Sequence, residues 1–391
     1  MDVYSLLSGL QKRGIPLRLF VLQLEGCAGR GEVDSTSLPF PVEIIRVPVK
    51  EQKLAPMAEK IQKALKAWDP AVVMLTHGYF LKTALIPYLS SWKLIGRYYA
   101  NELFCWKSAF HFLDGQPCPR FAHKDTELCR ACAWEHLGKT IKSGQWDPWT
   151  HEYLLTRAWE ASFVEKHCQA LDSLEGIVVN NEEIKKHLGA WQEKTVVIPG
   201  AVSLDAFPEI PLRDKKPGQP LRILMTGRVE DPLKGLNVLR EACILLRRTG
   251  LDFEVMVTHF DPLFAQGELL STGWLSHEGS LALYARADIV VVPSLWEEAF
   301  GLVAVEAMAN GVPVCASRTG GLREIIVDGE TGGLFERGNS VELAALLEKL
   351  LKDEALRERW GKAGRERIEA FYTWDQVIEQ HYQPLFKEYL S

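Results

Sequence analysis

Residues 289–316 read IVVVPSLWEEAFGLVAVEAMANGVPVCA. The β-branched run Ile289–Val292, closed by Pro293, predicts a strand buried on both faces. After the loop Ser294–Gly301, an apolar stretch predicts a helix over Val303–Asn310 and a second strand over Val312–Ala316. Strand, crossover helix and strand make the repeating unit of a parallel α/β sheet. Glu306 stands inside the apolar helix, flanked by Val303, Ala304, Val305, Ala307, Met308 and Ala309. A buried carboxylate without a partner costs several kcal/mol. Either a fixed polar group of the fold or a hydroxylated ligand must therefore meet it. A second carboxylate, Glu298, lies in the loop before the helix.

The same alternation runs outward in both directions. In the first half, strands are predicted at Leu17–Leu22, Glu43–Val47, Ala71–Thr76, Lys93–Tyr99, Gly176–Val179 and Thr195–Ile198, with helices at Pro56–Trp68 and Tyr153–Leu171. In the second half they fall at Arg222–Thr226, Phe253–Val257, Ile289–Pro293 and Val312–Ala316. Helices are predicted there at Gly235–Thr249, Ser280–Ala287, Val303–Asn310, Gly321–Ile326 and Val341–Lys352. Pro208–Pro220, with Pro208, Pro211, Pro217, Gly218, Pro220 and the charge run Arg213–Lys216, has linker chemistry. The expected architecture is α/β: two Rossmann-like, doubly wound domains facing a central cleft, with ligands at the carboxyl ends of the strands. Expected boundaries are 1–200, with a Cys-containing insert at about 101–149, then 201–370, then a terminal helix over 371–391 that crosses back to the first domain. Val3, Leu6, Leu7 and Leu10 predict that the chain opens on a helix. Such domains normally open on a strand and a glycine-rich turn, so the first domain is expected to be incomplete at its N-terminus.

Composition narrows the function. With 391 residues, 47% apolar and 25% charged, the chain reads as globular. Residues 1–199 carry 24 Lys and Arg against 22 Asp and Glu, and residues 200–391 carry 21 against 29, which leaves no footprint for nucleic acid. No apolar run is long enough to span a bilayer, and no basic segment followed by an apolar core marks a secretory signal. A cytoplasmic location is expected. Lys60, Lys63 and Lys66 form a cationic stripe on one helix, either a solvated face or a peripheral contact with the inner face of a membrane.

Three constellations carry chemistry. Gly227 and Arg228 follow a strand, and Lys234 sits near the start of the next helix. Two cations beside a helix N-terminus suit an anion such as a diphosphate, because free amides and the helix dipole both favour negative charge. Two solvated surface cations are the blander reading. In the second, the amides of Phe300, Gly301 and Leu302 open a helix whose Glu306 could accept from vicinal ribose hydroxyls. The blander reading is a core helix with one satisfied carboxylate. The third, Gly320–Gly321 with Glu324, reads as another glycine turn at a strand end.

The ordered set GR…KG, PSLWEEAFGLVAVEAMANGVPV, TGG…E and DGETGGLF closely resembles the retaining nucleotide-sugar glycosyltransferases of glycosyltransferase family four, which have the GT-B fold. The resemblance is densest over Arg222–Phe335 and looser over Val72–Phe207. It implies a hexosyltransferase-type enzyme, of the kind found in cell-surface polysaccharide synthesis. That enzyme moves a sugar from a nucleotide-diphosphate sugar to a glycan, a lipid-linked or a small-molecule acceptor, and transfer needs no cofactor. Arg228 and Lys234 would neutralise the diphosphate, Glu306 would hold the ribose, and Glu298 with the amides of Phe300–Leu302 would meet the sugar and phosphate. His77 would face the transferred sugar. Two alternatives stay open: a sugar-nucleotide epimerase on the same fold, and a truncated, non-catalytic sugar-nucleotide-binding remnant. Cys105, Cys118, Cys129 and Cys132 include a Cys-x2-Cys spacing. Structural zinc and reduced thiols in a long loop are both open readings of them.

Overall fold

The computed structural model describes residues 2–26, 33–144, 147–207, 219–259, 261, 265–266, 269–273 and 275–390. The chain forms two compact units: Met1–Leu113, Pro117–Ile198 and Ile378–Ser391 make the first, and Asp114–Gln116 with Pro199–Val377 make the second. The expected linker lies outside the described residues except for Gln219 and Pro220.

Helix α1 (Asp2–Lys12) opens the described chain and buries Leu6 and Leu10, as their spacing predicts. Strands β1 (Leu19–Leu24) and β2 (Val42–Val47) pair in parallel as a two-stranded sheet of their own. Helix α2 (Leu54–Trp68) buries Met57, Ala58, Ala64 and Leu65, while Lys60 is paired with Glu51 at 3.1 Å and Lys63 and Lys66 are exposed. Next come β3 (Val72–Leu75), α3 (Leu81–Leu85), β4 (Lys93–Arg97) and the short strands β5 (Phe112–Leu113) and β6 (Gln116–Pro117). They are followed by α4 (Thr126–Lys142), α5 (Pro148–Leu155), α6 (Phe163–Ser173), β7 (Gly176–Val179), α7 (Glu182–Lys186) and β8 (Thr195–Val197). A parallel four-stranded sheet runs β3-β4-β7-β8. The single helix predicted over Tyr153–Leu171 is two helices. Thr156 turns back to donate its hydroxyl to the Glu152 carbonyl at 2.7 Å, and Arg157 enters the left-handed region at φ 57°, which ends α5 before α6 begins.

The second unit holds β9 (Leu221–Met225), α8 (Leu236–Arg247), β10 (Phe253–Val257), β11 (Ala265–Gln266), β12 (Leu269–Ser271), α9 (His277–Tyr284), β13 (Ile289–Val292) and α10 (Leu302–Ala309). It continues through β14 (Val314–Ser317), α11 (Leu322–Ile325), β15 (Gly333–Phe335), α12 (Ser340–Lys352), α13 (Glu354–Phe371) and α14 (Trp374–Val377). A final helix, α15 (Gln383–Leu390), belongs to the first unit, where the Tyr389 carbonyl accepts from Lys93 at 3.0 Å. The seven-stranded sheet runs β11-β12-β10-β9-β13-β14-β15, parallel except for β11 against β12. Alternate residues feed its two faces. Ile223, Met225 and Val291 pack with α8 and α12, and Leu224, Val290 and Val292 pack with α9 and α10. Sequence order reverses between β9 and β13, so the crevice at their carboxyl ends is where a ligand is expected.

Candidate functional site

Two loops meet at that switch point. After β9, Gly227 takes φ 102° and exchanges hydrogen bonds with the Thr258 hydroxyl, each 2.9 Å long. Arg228 follows, exposed. Asp231 then caps a single tight turn, Pro232–Lys234, by accepting from the Leu233 amide at 3.0 Å. Gly235 starts α8 with φ 81°, and a Cβ there would stand 1.8 Å from the Pro293 carbonyl oxygen. Only glycine permits this approach. The Leu295 amide reaches the Leu233 carbonyl at 2.8 Å and holds the two loops together.

The clamp places Lys234 Nζ 2.6 Å from Glu298 Oε1, across 64 residues of sequence. Ser294 Oγ donates to the same oxygen at 2.7 Å, and the Lys234 ammonium stands 5.1 Å from the centre of the Trp296 ring. Glu298 is 7% exposed. At this burial the ammonium and hydroxyl offset the desolvation of the carboxylate. The glycine turn after β14 fixes the loop from its other side. The Gly321 amide donates to the Glu298 carbonyl at 2.7 Å, and the Gly320 amide donates to Glu297 Oε2 at 2.6 Å. Arg323 and Arg337 pair with Glu297 at 3.0 and 3.1 Å.

Gly301, at φ 115°, leads into α10. Its first-turn amides, those of Leu302 and Val303, have no intrahelical acceptor. Glu306 is 7% exposed, and its Oε2 accepts from the Tyr284 hydroxyl at 2.9 Å. Tyr284 is also 3.0 Å from the Thr226 hydroxyl. Burial first, and then the Glu306 charge, push the Tyr284 phenol well above its ordinary pKa. A fixed partner of the fold therefore meets Glu306. Tyr284 escapes a sequence reading because nothing in α9 points to a residue on α10. Ser294, Trp296 and Glu297 lie in the quoted loop, but which of its side chains turn toward Lys234 depends on the Gly235 approach.

The first unit carries His77 just past β3, exposed, with Nδ1 3.2 Å from the Thr76 hydroxyl and its ring 5.3 Å from that of Tyr99. Loss of hydration, followed by the nearby Lys82 cation, lowers its pKa. Lys82 is buried, with Nζ 2.5 Å from the Arg97 carbonyl and 3.9 Å from Glu102 Oε1, and burial lowers its pKa to about 8. Arg97, fully buried, donates to the Ile198 carbonyl at 3.0 Å and to Asn180 at 2.5 Å. Cys105, Cys118, Cys129 and Cys132, also in this unit, line one small cavity.

Residues 207–367 match the family model of glycosyl transferases, group 1. This stretch is a group 1 glycosyl transferase domain. Group 1 enzymes use nucleotide-sugar donors and in general need no metal. All the second-unit residues described above, from Thr226 to Arg337, lie inside the group 1 domain. Among curated relatives, the phosphatidyl-myo-inositol mannosyltransferase of Mycobacterium leprae is 32% identical over 212 residues, 52% of this chain and 56% of that protein. The D-inositol 3-phosphate glycosyltransferase of Corynebacterium diphtheriae is 33% identical over 208 residues, 51% of this chain and 44% of that protein. The chain thus spans about half the length of the curated relatives it matches. The solved sucrose-phosphate synthase of Thermosynechococcus elongatus is similar over 99% of this chain and 93% of its own, with TM-score 0.67 and 21% identity. Anabaena HepE, solved in complex with UDP-glucose, is similar over 89% of this chain and 86% of its own, with TM-score 0.59 and 16% identity. These structures share the fold, α/β with parallel sheets, and are GT-B glycosyltransferases.

Proposed function

We propose that this chain is a retaining glycosyltransferase that moves a sugar from a nucleoside diphosphate sugar to a glycan, a lipid-linked or a small-molecule acceptor. The observation that carries the reading is the Lys234–Glu298 pair, held at 2.6 Å at the carboxyl ends of β9 and β13. In this reading an incoming diphosphate lies against Arg228, Lys234 and the first-turn amides of α10. The Lys234 ammonium keeps one N–H on Glu298 and offers its others to phosphate oxygens. As the anomeric C–O bond breaks, charge grows on the leaving diphosphate, and fixed cations stabilise that charge more than the ground state.

Glu306, oriented by the Tyr284 hydroxyl, accepts from the ribose hydroxyls. Gly227 gives the ligand close access to the backbone, and Glu298 with the amides of Phe300–Leu302 meets the donor sugar and phosphate. His77 accepts from or donates to a hydroxyl of the transferred sugar. The acceptor attacks the face that the diphosphate leaves, which retains the anomeric configuration without a protein nucleophile. Among the described residues no helix is long and apolar enough to cross a membrane. A cytoplasmic enzyme that meets lipid-linked acceptors at the membrane surface fits this reading. The transferase relatives support transfer over epimerisation.

The test is transfer of labelled sugar from UDP-, GDP- and ADP-sugars to an acceptor panel, with the anomeric configuration of the product read by NMR. Lys234→Ala should lower kcat by about 100- to 1,000-fold, as loss of a charge-stabilising donor does. Interconversion of the donor sugar without acceptor would favour an epimerase. Undiminished transfer in Lys234→Ala and Glu306→Ala would overturn the site.

A further inference from the structure

Cys105, Cys118, Cys129 and Cys132 are not used by the group 1 domain. Their spacing is Cys-x12-Cys-x10-Cys-x2-Cys. Three separate stretches bring them together. Cys105 follows the turn Asn101–Leu103 and donates its amide to the Asn101 carbonyl at 3.0 Å. Cys118 follows β6 and is tied back to the His111 carbonyl at 2.9 Å. Cys129 and Cys132 stand three residues apart on α4, and so share one face of the helix. The Ala122 amide closes the loop onto the Phe104 carbonyl at 2.8 Å.

All four cysteines line one cavity of about 20 Å³, room for roughly one water-sized sphere. Lys107 and Arg120 also line the cavity, so cationic side chains stand beside the four cysteines.

We propose that Cys105, Cys118, Cys129 and Cys132 form a structural zinc site that pins the 101–142 segment to the first unit. Four soft thiolates select zinc, and a site filled by four protein ligands leaves no open position for catalysis. Binding releases four protons as four thiols and Zn²⁺ become a tetrathiolate complex of charge −2, which Lys107 and Arg120 offset. No oxidant or reductant is involved. Among the described residues no three ligand side chains already converge at metal-binding distance. Loading therefore requires the four side chains to draw together across the cavity they line.

The test uses the full chain, purified under reducing conditions. Elemental analysis should find one zinc per chain. Co²⁺ added to the demetallated chain should give the visible bands of tetrahedral cobalt and thiolate-to-cobalt charge transfer. Cys129→Ser with Cys132→Ser should abolish both signals, whereas Cys168→Ser, a thiol outside the cavity, should keep them. Reduced wild-type chain that gives no cobalt–thiolate band would overturn the proposal, and this result stands even if the double variant does not fold. A Cys129–Cys132 disulfide that persists under reducing purification, or cobalt bands that survive in the double variant, would overturn it too.

Discussion

Replacing Gly235 with Ala tests how the two site loops are joined. The added Cβ would lie 1.8 Å from the Pro293 carbonyl oxygen, about 1.2 Å inside the 3.0 Å that real Cβ contacts keep. The opposing atom is backbone, so relief requires the β9–α8 turn and the β13–α10 loop to part. That stretches the 2.8 Å bond between Leu295 and Leu233 and the 2.6 Å Lys234–Glu298 pair. Backbone strain must be separated from the clash, and Gly250 supplies the control: its φ is 79°, but nothing stands within 4 Å of its would-be Cβ. Gly250→Ala should cost about 1–2 kcal/mol, the penalty of the left-handed region alone. Gly235→Ala should cost that plus about 1–3 kcal/mol of overpacking. A displacement near 1 Å at a reacting centre can cost about 100-fold in rate. Urea unfolding of both variants measures the difference, and donor-dependent turnover measures its effect on the site. If the two variants are equally stable and Gly235→Ala keeps full turnover, the loops are not clamped there.

Tyr284→Phe should destabilise by about 1.5–3 kcal/mol, because it removes a hydrogen bond to a buried carboxylate. In the Glu306→Met background, which offers no carboxyl or amide oxygen to accept from the hydroxyl, most of that loss should vanish, and a double-mutant cycle by denaturant unfolding checks this. Acid should weaken the first unit. Burial takes the pKa of His167 to about 4, against about 6.5 in an unfolded chain, so the unfolded state binds the proton first. Its contribution is full above about pH 6.5 and is lost as pH falls through 4, amounting to about 3 kcal/mol. Unfolding midpoints at pH 7 and pH 4.5 should diverge, and His167→Gln should reduce the gap; an unchanged gap would contradict a neutral His167.

Much of the fold is legible where burial imposes a period. Gly176–Val179 and Phe253–Val257 are strands over the predicted residues, the first an apolar run buried throughout and the second alternating buried and half-buried positions. Helix α13 was not legible. It packs partly through glycines, with Gly361 so close to the Gly311 carbonyl that a Cβ would stand 2.1 Å away, and small residues leave no apolar stripe to read. Helix α4 hides among aromatic and cysteine residues, with few buried positions. At the site, Lys234, Glu298 and Glu306 are legible because charge beside a glycine turn or inside an apolar run is conspicuous. Their partners are not, since Ser294, Trp296 and Tyr284 are ordinary residues until tertiary structure aims them.

The central claim is that the group 1 domain binds a nucleoside diphosphate sugar through Lys234 and Glu306. Thermal unfolding of the full chain against UDP-, GDP- and ADP-sugars tests it most directly. One of them, at about 100 times its Kd, should stabilise the wild type by about 2.7 kcal/mol. Lys234→Ala and Glu306→Ala, folded but unresponsive at that concentration, would bear the claim out. An equal shift in all three proteins, or no shift with any nucleotide sugar in the wild type, would contradict it.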